Sequence, residues 1–425
     1  MTLRRVALVA ASLLTACATT EKMGDRVNPE VPAWFARSSG DLSVFARRKL
    51  TSEAKQTGEG YERGRPELDA VRNRVFVGSS DHGLYALRSS NLSTIWRFET
   101  AGMVQSEPTY DRELDVVFFG SNDGGLYALR AADGTLVWRF DTGSEVAKKP
   151  LIDGESLVFA NASDQLFSID RRTGKLLWQA RRPPAAGMEL AGYAGPTIDR
   201  GKVYFAYSDG HVGAYDLRDG SERWAPVDLA ADAEQHSGGQ EQRYLDVDTT
   251  PVVADVPGTG RVVFVASYAG GVYALDAETG ARVWSNDKAL GVTDLVYWTQ
   301  PAHAPHPKGP DRDGPAQPEK RMLFASSAQT GLWAMDPANG KQVWRKPLPD
   351  GGITAPAIVA GALVFGTSRF GLFLMAPDNG RVIDAIDSGT GFVATPAAYG
   401  NRVFALSNGG VLYGIAIDAP LGKRL

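Results

Sequence analysis

Asp115-Val-Val-Phe-Phe-Gly-Ser-Asn-Asp-Gly-Gly-Leu-Tyr-Ala-Leu129, followed by Asp133-Gly-Thr-Leu-Val-Trp138, is the stretch that decides the fold. Two runs rich in aromatic and β-branched residues, 116–119 and 126–129, flank Ser-Asn-Asp-Gly-Gly, and a third, 136–138, follows Asp-Gly. Short runs of that composition bounded by turn formers read as strands. No segment of the chain sustains apolar residues at helical spacing over a dozen positions. Gly124-Gly125 supplies the positive φ that a tight hairpin needs, and Asp133-Gly134 marks a second turn. The unit is strand, turn, strand, turn, strand.

The unit recurs along the chain. Arg74-Val-Phe-Val-Gly-Ser-Ser-Asp-His-Gly-Leu-Tyr-Ala-Leu-Arg88 precedes it, with Trp96 closing, and copies follow at 157–178, 202–224, 261–284 and 322–344. The copy at 363–384 holds Asp384 at the tryptophan position. A last half-copy, Arg402-Val-Phe-Ala-Leu-Ser-Asn-Gly-Gly-Val-Leu-Tyr-Gly-Ile415, has no tryptophan strand. The closing tryptophans are 42, 40, 46, 60 and 60 residues apart, which places insertions at 225–244 and 302–319. A further short strand precedes each later unit, as in Pro108-Thr109, Lys149-Pro150-Leu151, Pro196-Thr197-Ile198, Thr250-Pro251-Val252, Ala355-Pro356-Ala357 and Thr395-Pro396-Ala397. Four short strands every 40–50 residues make a propeller blade. Seven copies and the half-copy predict an all-β, eight-bladed β-propeller of four-stranded antiparallel blades. The strand missing from the last blade is expected from 42–50, Leu-Ser-Val-Phe-Ala-Arg-Arg-Lys-Leu, so that the N-terminal strand closes the ring. The recurring tryptophans are expected between neighbouring blades, as structure.

The N-terminal residues carry a different message. Arg4 and Arg5, a short apolar run to Leu14, and small residues Thr15 and Ala16 before Cys17 form the pattern of a secretory signal. Cys17 is the only cysteine, and the pattern resembles a lipoprotein signal cleaved before an acylated cysteine. The expected organisation is a signal peptide over 1–16, a lipidated flexible tether over 17–40 and the propeller over 41–425. Ala18 after the cysteine, where aspartate would mark inner-membrane retention, points to the outer membrane and its periplasmic face.

Composition narrows the function. The formal net charge is -4 and no basic footprint for nucleic acid stands out. With the one thiol consumed by lipid, neither disulfides nor cysteine redox chemistry is expected, so the 43% hydrophobic composition must supply a large core. His303-Ala-Pro-His306 has metal-like spacing without a third ligand and lies in a Pro- and Gly-rich loop. No phosphate cradle, Ser-His-Asp order or zinc signature stands out, so no catalytic residue, cofactor or metal is assigned.

The repeat Leu275-Asp276-Ala-Glu-Thr-Gly-Ala-Arg-Val-Trp284 resembles that of pyrroloquinoline quinone (PQQ) enzymes, a repeat shared by quinoprotein dehydrogenases and non-enzymatic propellers. Leu245-Asp246-Val247-Asp248-Thr249-Thr250-Pro251-Val252-Val253, together with the Cys17 signal, resembles the BamB family of outer-membrane assembly lipoproteins. That resemblance implies a non-catalytic periplasmic scaffold, a monomer within a hetero-complex, bound to a POTRA domain of a BamA-like subunit. It implies contacts from Met188, Glu189 and Leu190, ahead of Pro196-Thr197, and from Asp246 and Asp248. The family's arginine anchor is Ala191 here. Aspartates before an inner strand also suit turn capping, so their position leaves both roles open. The other readings are a PQQ-dependent quinoprotein oxidoreductase and a propeller that binds other envelope proteins or polysaccharide.

Overall fold

In the second blade, Val116–Gly120 and Gly125–Arg130 are buried at every position up to Leu129. Successive side chains of a strand point to opposite faces of its sheet, so a strand buried throughout must be covered on both. Neighbouring blades supply that cover. The computed structural model describes residues 40–50, 62–182, 194–231, 247, 249–302, 318–347, 351–369 and 371–418. They form eight four-stranded antiparallel sheets, each in the order inner, second, third, outer, which close into an eight-bladed propeller.

The core lies between blades. Phe76, Leu84 and Trp96 of blade 1 pack with Val117, Phe119 and Leu129 of blade 2 in one buried cluster, and similar clusters follow around the ring. Phe119 stacks on Tyr127 with ring centroids 5.2 Å apart, and the next blade repeats the pair as Phe159 and Phe167, also at 5.2 Å. Each such ring, taken wholly out of water, contributes about 1.5–3 kcal/mol.

Antiparallel strands give the ring two chemically different faces. Turns between the first and second strands, and between the third and outer strands, lie on one of them, the latch face. Here the outer-strand tryptophan of each of blades 1 to 6 meets a left-handed glycine of the next blade. A Cβ added to Gly134 (φ 76) would lie 2.8 Å from Trp96, and one added to Gly340 (φ 69) 2.5 Å from Trp284. The indole N–H then donates to a carbonyl three residues before that glycine: Trp96 to Ala131 at 3.0 Å, Trp178 to Leu217 at 2.8 Å and Trp344 to Pro377 at 2.8 Å. Trp224 alone of these makes no such bond among the described residues. Its expected acceptor, the Ala277 carbonyl, takes the hydroxyl of Tyr204 at 3.0 Å instead. The tryptophans are therefore structural, as the repeat implied.

Ion pairs reinforce the same face across blade boundaries. Buried Arg171 of blade 3 pairs with Asp111 of blade 2, and with Glu113 at 2.6 Å. Arg74 of blade 1 reaches Asp115 of blade 2 at 2.5 Å, and Arg261 of blade 5 pairs with Asp199 of blade 4. Arg171 is held well above its ordinary pKa by hydrogen bonds to Glu113 and Asp111, which outweigh the cost of burial.

Ring closure follows the expected pairing. Leu42–Lys49 is the outer strand of the eighth blade, antiparallel to Val411–Ile417 with Leu42 opposite Ile417. Asp384 occupies the place of the missing tryptophan, fully buried, and its carboxylate accepts the backbone N–H of Leu42 at 2.7 Å. A charge-assisted bond to the first residue of the closing strand thus stands where an indole latch stands elsewhere. Insertion 302–319 joins the longest inner strand, Val292–Gln300, to Lys320–Ser327. Among the described residues no helix is long and apolar enough to cross a membrane.

Candidate functional site

The second face, the loop face, carries the connections from each outer strand to the next blade and the hairpins between second and third strands. Cys17, Met188, Glu189, Leu190, Ala191, Asp246, Asp248 and the His303/His306 pair all lie outside the described residues. What is described is the frame from which two of these segments spring. Segment 183–193 leaves blade 3 after Arg182, whose Nε donates to Asp209 Oδ2 at 3.0 Å and whose guanidinium lies over the Tyr207 ring. Segment 232–246 leaves blade 4 after Asp228, whose carboxylate caps Ala230 and Ala231 at 2.9 and 3.0 Å.

Both segments return close together. Val247, between the two aspartates, is fully buried and donates its N–H to the Tyr207 carbonyl at 3.4 Å. Thr249 Oγ1 accepts the Ala266 N–H at 2.8 Å and donates to the Ala266 carbonyl at 3.1 Å. Ser106 makes the same double bond with Gly120, at 2.9 and 2.8 Å, so this part of the Asp-Val-Asp-Thr-Thr-Pro motif is a repeated structural staple. Gly195 N–H donates to Thr250 Oγ1 at 3.0 Å, tying the end of the first segment to the end of the second. Beneath them Asp164 (φ 55) accepts from the Ser208 backbone and hydroxyl, and burial pushes its carboxyl above the ordinary range. Desolvation likewise raises the Tyr207 phenol, whose oxygen lies 2.5 Å from that of Tyr215. This buried floor is polar, bonded and fixed.

The loop face also holds a cavity of about 590 Å³ at the hub of the ring. Its wall comes from residues at or just before the inner strands, and it is uneven. Blades 1 to 3 contribute Arg63, Arg65, Glu107, Lys148 and Lys149, whereas the far side is mainly apolar with one acid, Asp294 of blade 6. Lys149 bridges Glu107 at 2.7 Å and Glu67 at 2.9 Å, and Arg65 meets Glu107 at 3.0 Å. Burial would lower the Lys149 pKa, but the two glutamates outweigh it and hold it above the ordinary value. Glu67 is raised by burial, with Lys149 opposing. Asp294 is raised by desolvation, with Lys148, Thr293 and Arg65 opposing.

None of these hub residues stood out in the sequence. They lie in different repeats, at one structural position, and their common signal is placement within a few residues of an inner-strand start. The cavity's donor set does not fit a metal-assisted quinone: its one glutamate, Glu107, is already paired with Lys149 and Arg65, and Asp294 is its only other acid. Among the described residues no group of three or more His, Cys, Asp or Glu could hold a metal ion.

The family profile described as outer membrane protein assembly factor BamB matches residues 93–296 and 239–425. The BamB of Legionella pneumophila (strain Paris) is 23% identical over 235 residues, covering 55% of this chain and 53% of that protein. The chain thus spans about half the length of the curated relatives it matches. The dehydrogenase subunit of an alcohol dehydrogenase (quinone) from Komagataeibacter europaeus is 30% identical over 187 residues, 42% of this chain and 22% of that one. In fold, the crystal structure of BamB from Moraxella catarrhalis superposes with a TM-score of 0.67 at 19% identity, covering 88% of this chain and 99% of that one. With the BamB profile matched across most of the repeats, the chain belongs to the outer membrane protein assembly factor BamB family.

Proposed function

We propose that this protein is a non-catalytic, lipid-anchored scaffold of the outer-membrane β-barrel assembly machinery, facing the periplasm and docking a POTRA domain of a BamA-like subunit. Family membership supports the general role. The observation that carries the docking site is the Gly195–Thr250 hydrogen bond, which joins the returns of segments 183–193 and 232–246 on one face. In this reading Met188, Glu189 and Leu190 on one segment, and Asp246 and Asp248 on either side of Val247 at the return of the other, work from that shared base. In this reading the apolar side chains supply affinity and the acids orient a basic surface. Cys17 carries the acyl anchor, and residues up to 40 form the tether.

Capture of the full-length lipoprotein from solubilised outer membranes tests the proposal. A BamA-like subunit should co-purify, and Leu190→Ala with Asp246→Ala and Asp248→Ala should reduce its recovery at least about tenfold, as loss of a hot spot does. Undiminished recovery by the folded triple variant would remove the proposed contacts. A folded wild-type lipoprotein that brings down no such subunit would remove the role.

The quinone-dehydrogenase relative favours a quinoprotein oxidoreductase as second reading. Dye reduction with an alcohol, dependent on added PQQ and calcium, would establish that reading in place of the first.

A further inference from the structure

On the loop face, blades 1 and 2 build the same charged arrangement where the hairpin between second and third strands meets the outer strand. In blade 2, Asp123 of the hairpin accepts the Tyr127 hydroxyl at 2.6 Å. Arg139 of the outer strand stands opposite Tyr127, lies over its ring and donates to its oxygen at 3.1 Å. A second acid, Asp141, pairs with Arg139 at 3.5 Å. Blade 1 repeats the set with Asp81, Tyr85, Arg97 and Glu99. Blade 8 keeps half of it. Arg47 stands opposite Tyr413 and 5.5 Å from its ring centroid, as Arg97 and Arg139 stand 5.4 Å from theirs. Gly409 fills the place of Asp123, however, and Lys49 that of Asp141. One cation with two acids has become two cations with none, and exposed Arg48 lies between them in sequence.

Among the described residues neither Arg47 nor Lys49 forms an ion pair, and Lys49 donates only to the Gly409 carbonyl, at 2.7 Å. The Tyr413 hydroxyl makes no hydrogen bond among them either, although Tyr413 is only 7% exposed, like Tyr85. Blade 6 also lacks the acid but satisfies both groups internally: Arg345 Nε donates to the Thr330 carbonyl at 2.9 Å, and the Trp333 indole to the Thr330 hydroxyl at 2.8 Å. Burial raises the Tyr413 phenol, with Arg47 opposing and Asp387 of blade 7 adding, so it remains a donor at neutral pH. Asp387 itself caps the Gly389 N–H at 2.7 Å and pairs with neither cation. Cations at a sheet edge also deter strand pairing, but that role needs no unbonded, buried hydroxyl.

We propose that Arg47, Lys49 and Tyr413 receive a carboxylate side chain from an acidic segment of a partner protein, in the place that Asp123 holds in blade 2. The carboxylate accepts the Tyr413 hydroxyl and pairs with Arg47, and bonds of this charge-assisted kind are roughly twice as strong as neutral ones. Blades 1 and 2 supply the same geometry from within the chain. The inference is independent of the docking proposal, since it uses none of the residues of segments 183–193 and 232–246.

Calorimetric titration of the full-length protein with the amidated peptide Gly-Ser-Asp-Gly-Glu-Ser-Asp-Gly tests it. Saturable binding is expected, weakened by salt and weaker by at least about tenfold when Asn and Gln replace the acids. Arg47→Gln should cost at least about tenfold, the usual scale for removing a charged hydrogen-bond partner. Gly409→Asp should abolish binding by restoring the internal carboxylate, with the melting temperature unchanged or raised. Gly409 has no positive φ, so aspartate suits its backbone, although an added Cβ would lie 3.1 Å from the exposed Thr390 side chain. Lys49→Glu, on the exposed edge, should act likewise without that contact. Inorganic phosphate and phosphatidylglycerol vesicles should compete poorly. Glu53→Gln with Glu59→Gln, the acids that follow in sequence, should leave the affinity unchanged. Absence of saturable binding at millimolar peptide, equal binding of the uncharged peptide, or undiminished binding by folded Lys49→Glu would each overturn the proposal. So would preference for the vesicles, or several-fold tightening in the Glu53/Glu59 variant, which would give the site to the chain's own segment.

Discussion

The two faces of the propeller are built on opposite plans. On the latch face one device is repeated: an indole, a left-handed glycine and a carbonyl, carried from blade to blade by Trp96, Trp138, Trp178, Trp284 and Trp344. Inter-blade ion pairs join it, led by Arg171 with Asp111. On the loop face the blades differ, from the charged hub wall of blades 1 to 3 to the long connections leaving Arg182 and Ala231. Repetition reflects a shared structural demand, because each blade must bury the same surface against the next. Departure from the repeat is where a site can be added without loosening the ring.

The largest expected effect lies on the latch face. Trp178→Ala should destabilise by about 3–5 kcal/mol, since it removes a buried indole between two blades. Denaturant midpoints measured at constant slope would show it, and Lys148→Gln on the hub wall should leave the same midpoint nearly unmoved. Equal losses at both sites would break the division between faces.

A smaller difference separates two latches. Trp178→Phe deletes a 2.8 Å indole hydrogen bond as well as volume, whereas the Trp224 N–H has no partner among the described residues. Trp178→Phe should therefore cost about 1 kcal/mol more than Trp224→Phe, the net worth of one buried hydrogen bond. Tyr204→Phe, which frees the Ala277 carbonyl, should narrow that gap if added to the comparison.

The smallest effect concerns Asp294. Its folded-state pKa is raised by desolvation, so the folded protein binds more protons than the unfolded chain just above the ordinary aspartate range. Stability contributed by the neutral form is thus full at low pH and is lost as pH rises through the folded-state value. Asp294→Asn should raise the melting temperature at neutral pH and leave it unchanged below the ordinary aspartate pKa. A shift of equal size at both pH values would show that the carboxyl's charge is not the cause.

Much of the architecture was legible because repeats expose it. The Gly-Gly and Asp-Gly turns set the strand boundaries, the recurring proline steps marked the inner strands, and the short last copy predicted that 42–50 would complete its sheet. Other features needed neighbours. Asp384 read as a lapse in the tryptophan pattern, yet its carboxylate holds the first residue of the closing strand 342 positions away in sequence. Thr249 read as part of a recognition motif, yet it staples its own blade as Ser106 does. The hub was least legible of all. Arg63, Lys148 and Asp294 share only their placement near an inner-strand start, and no local pattern of residue types singles them out.

Strand number, blade number and the closing partner were determined by sequence alone, because turn chemistry and alternating burial act over a few residues and simply recur. Which charges share the hub, which carbonyl an indole finds free, and where the two long connections come back together were decided only by the tertiary structure. Those outcomes depend on distances between blades, and ring closure fixes such distances without writing them into any single repeat.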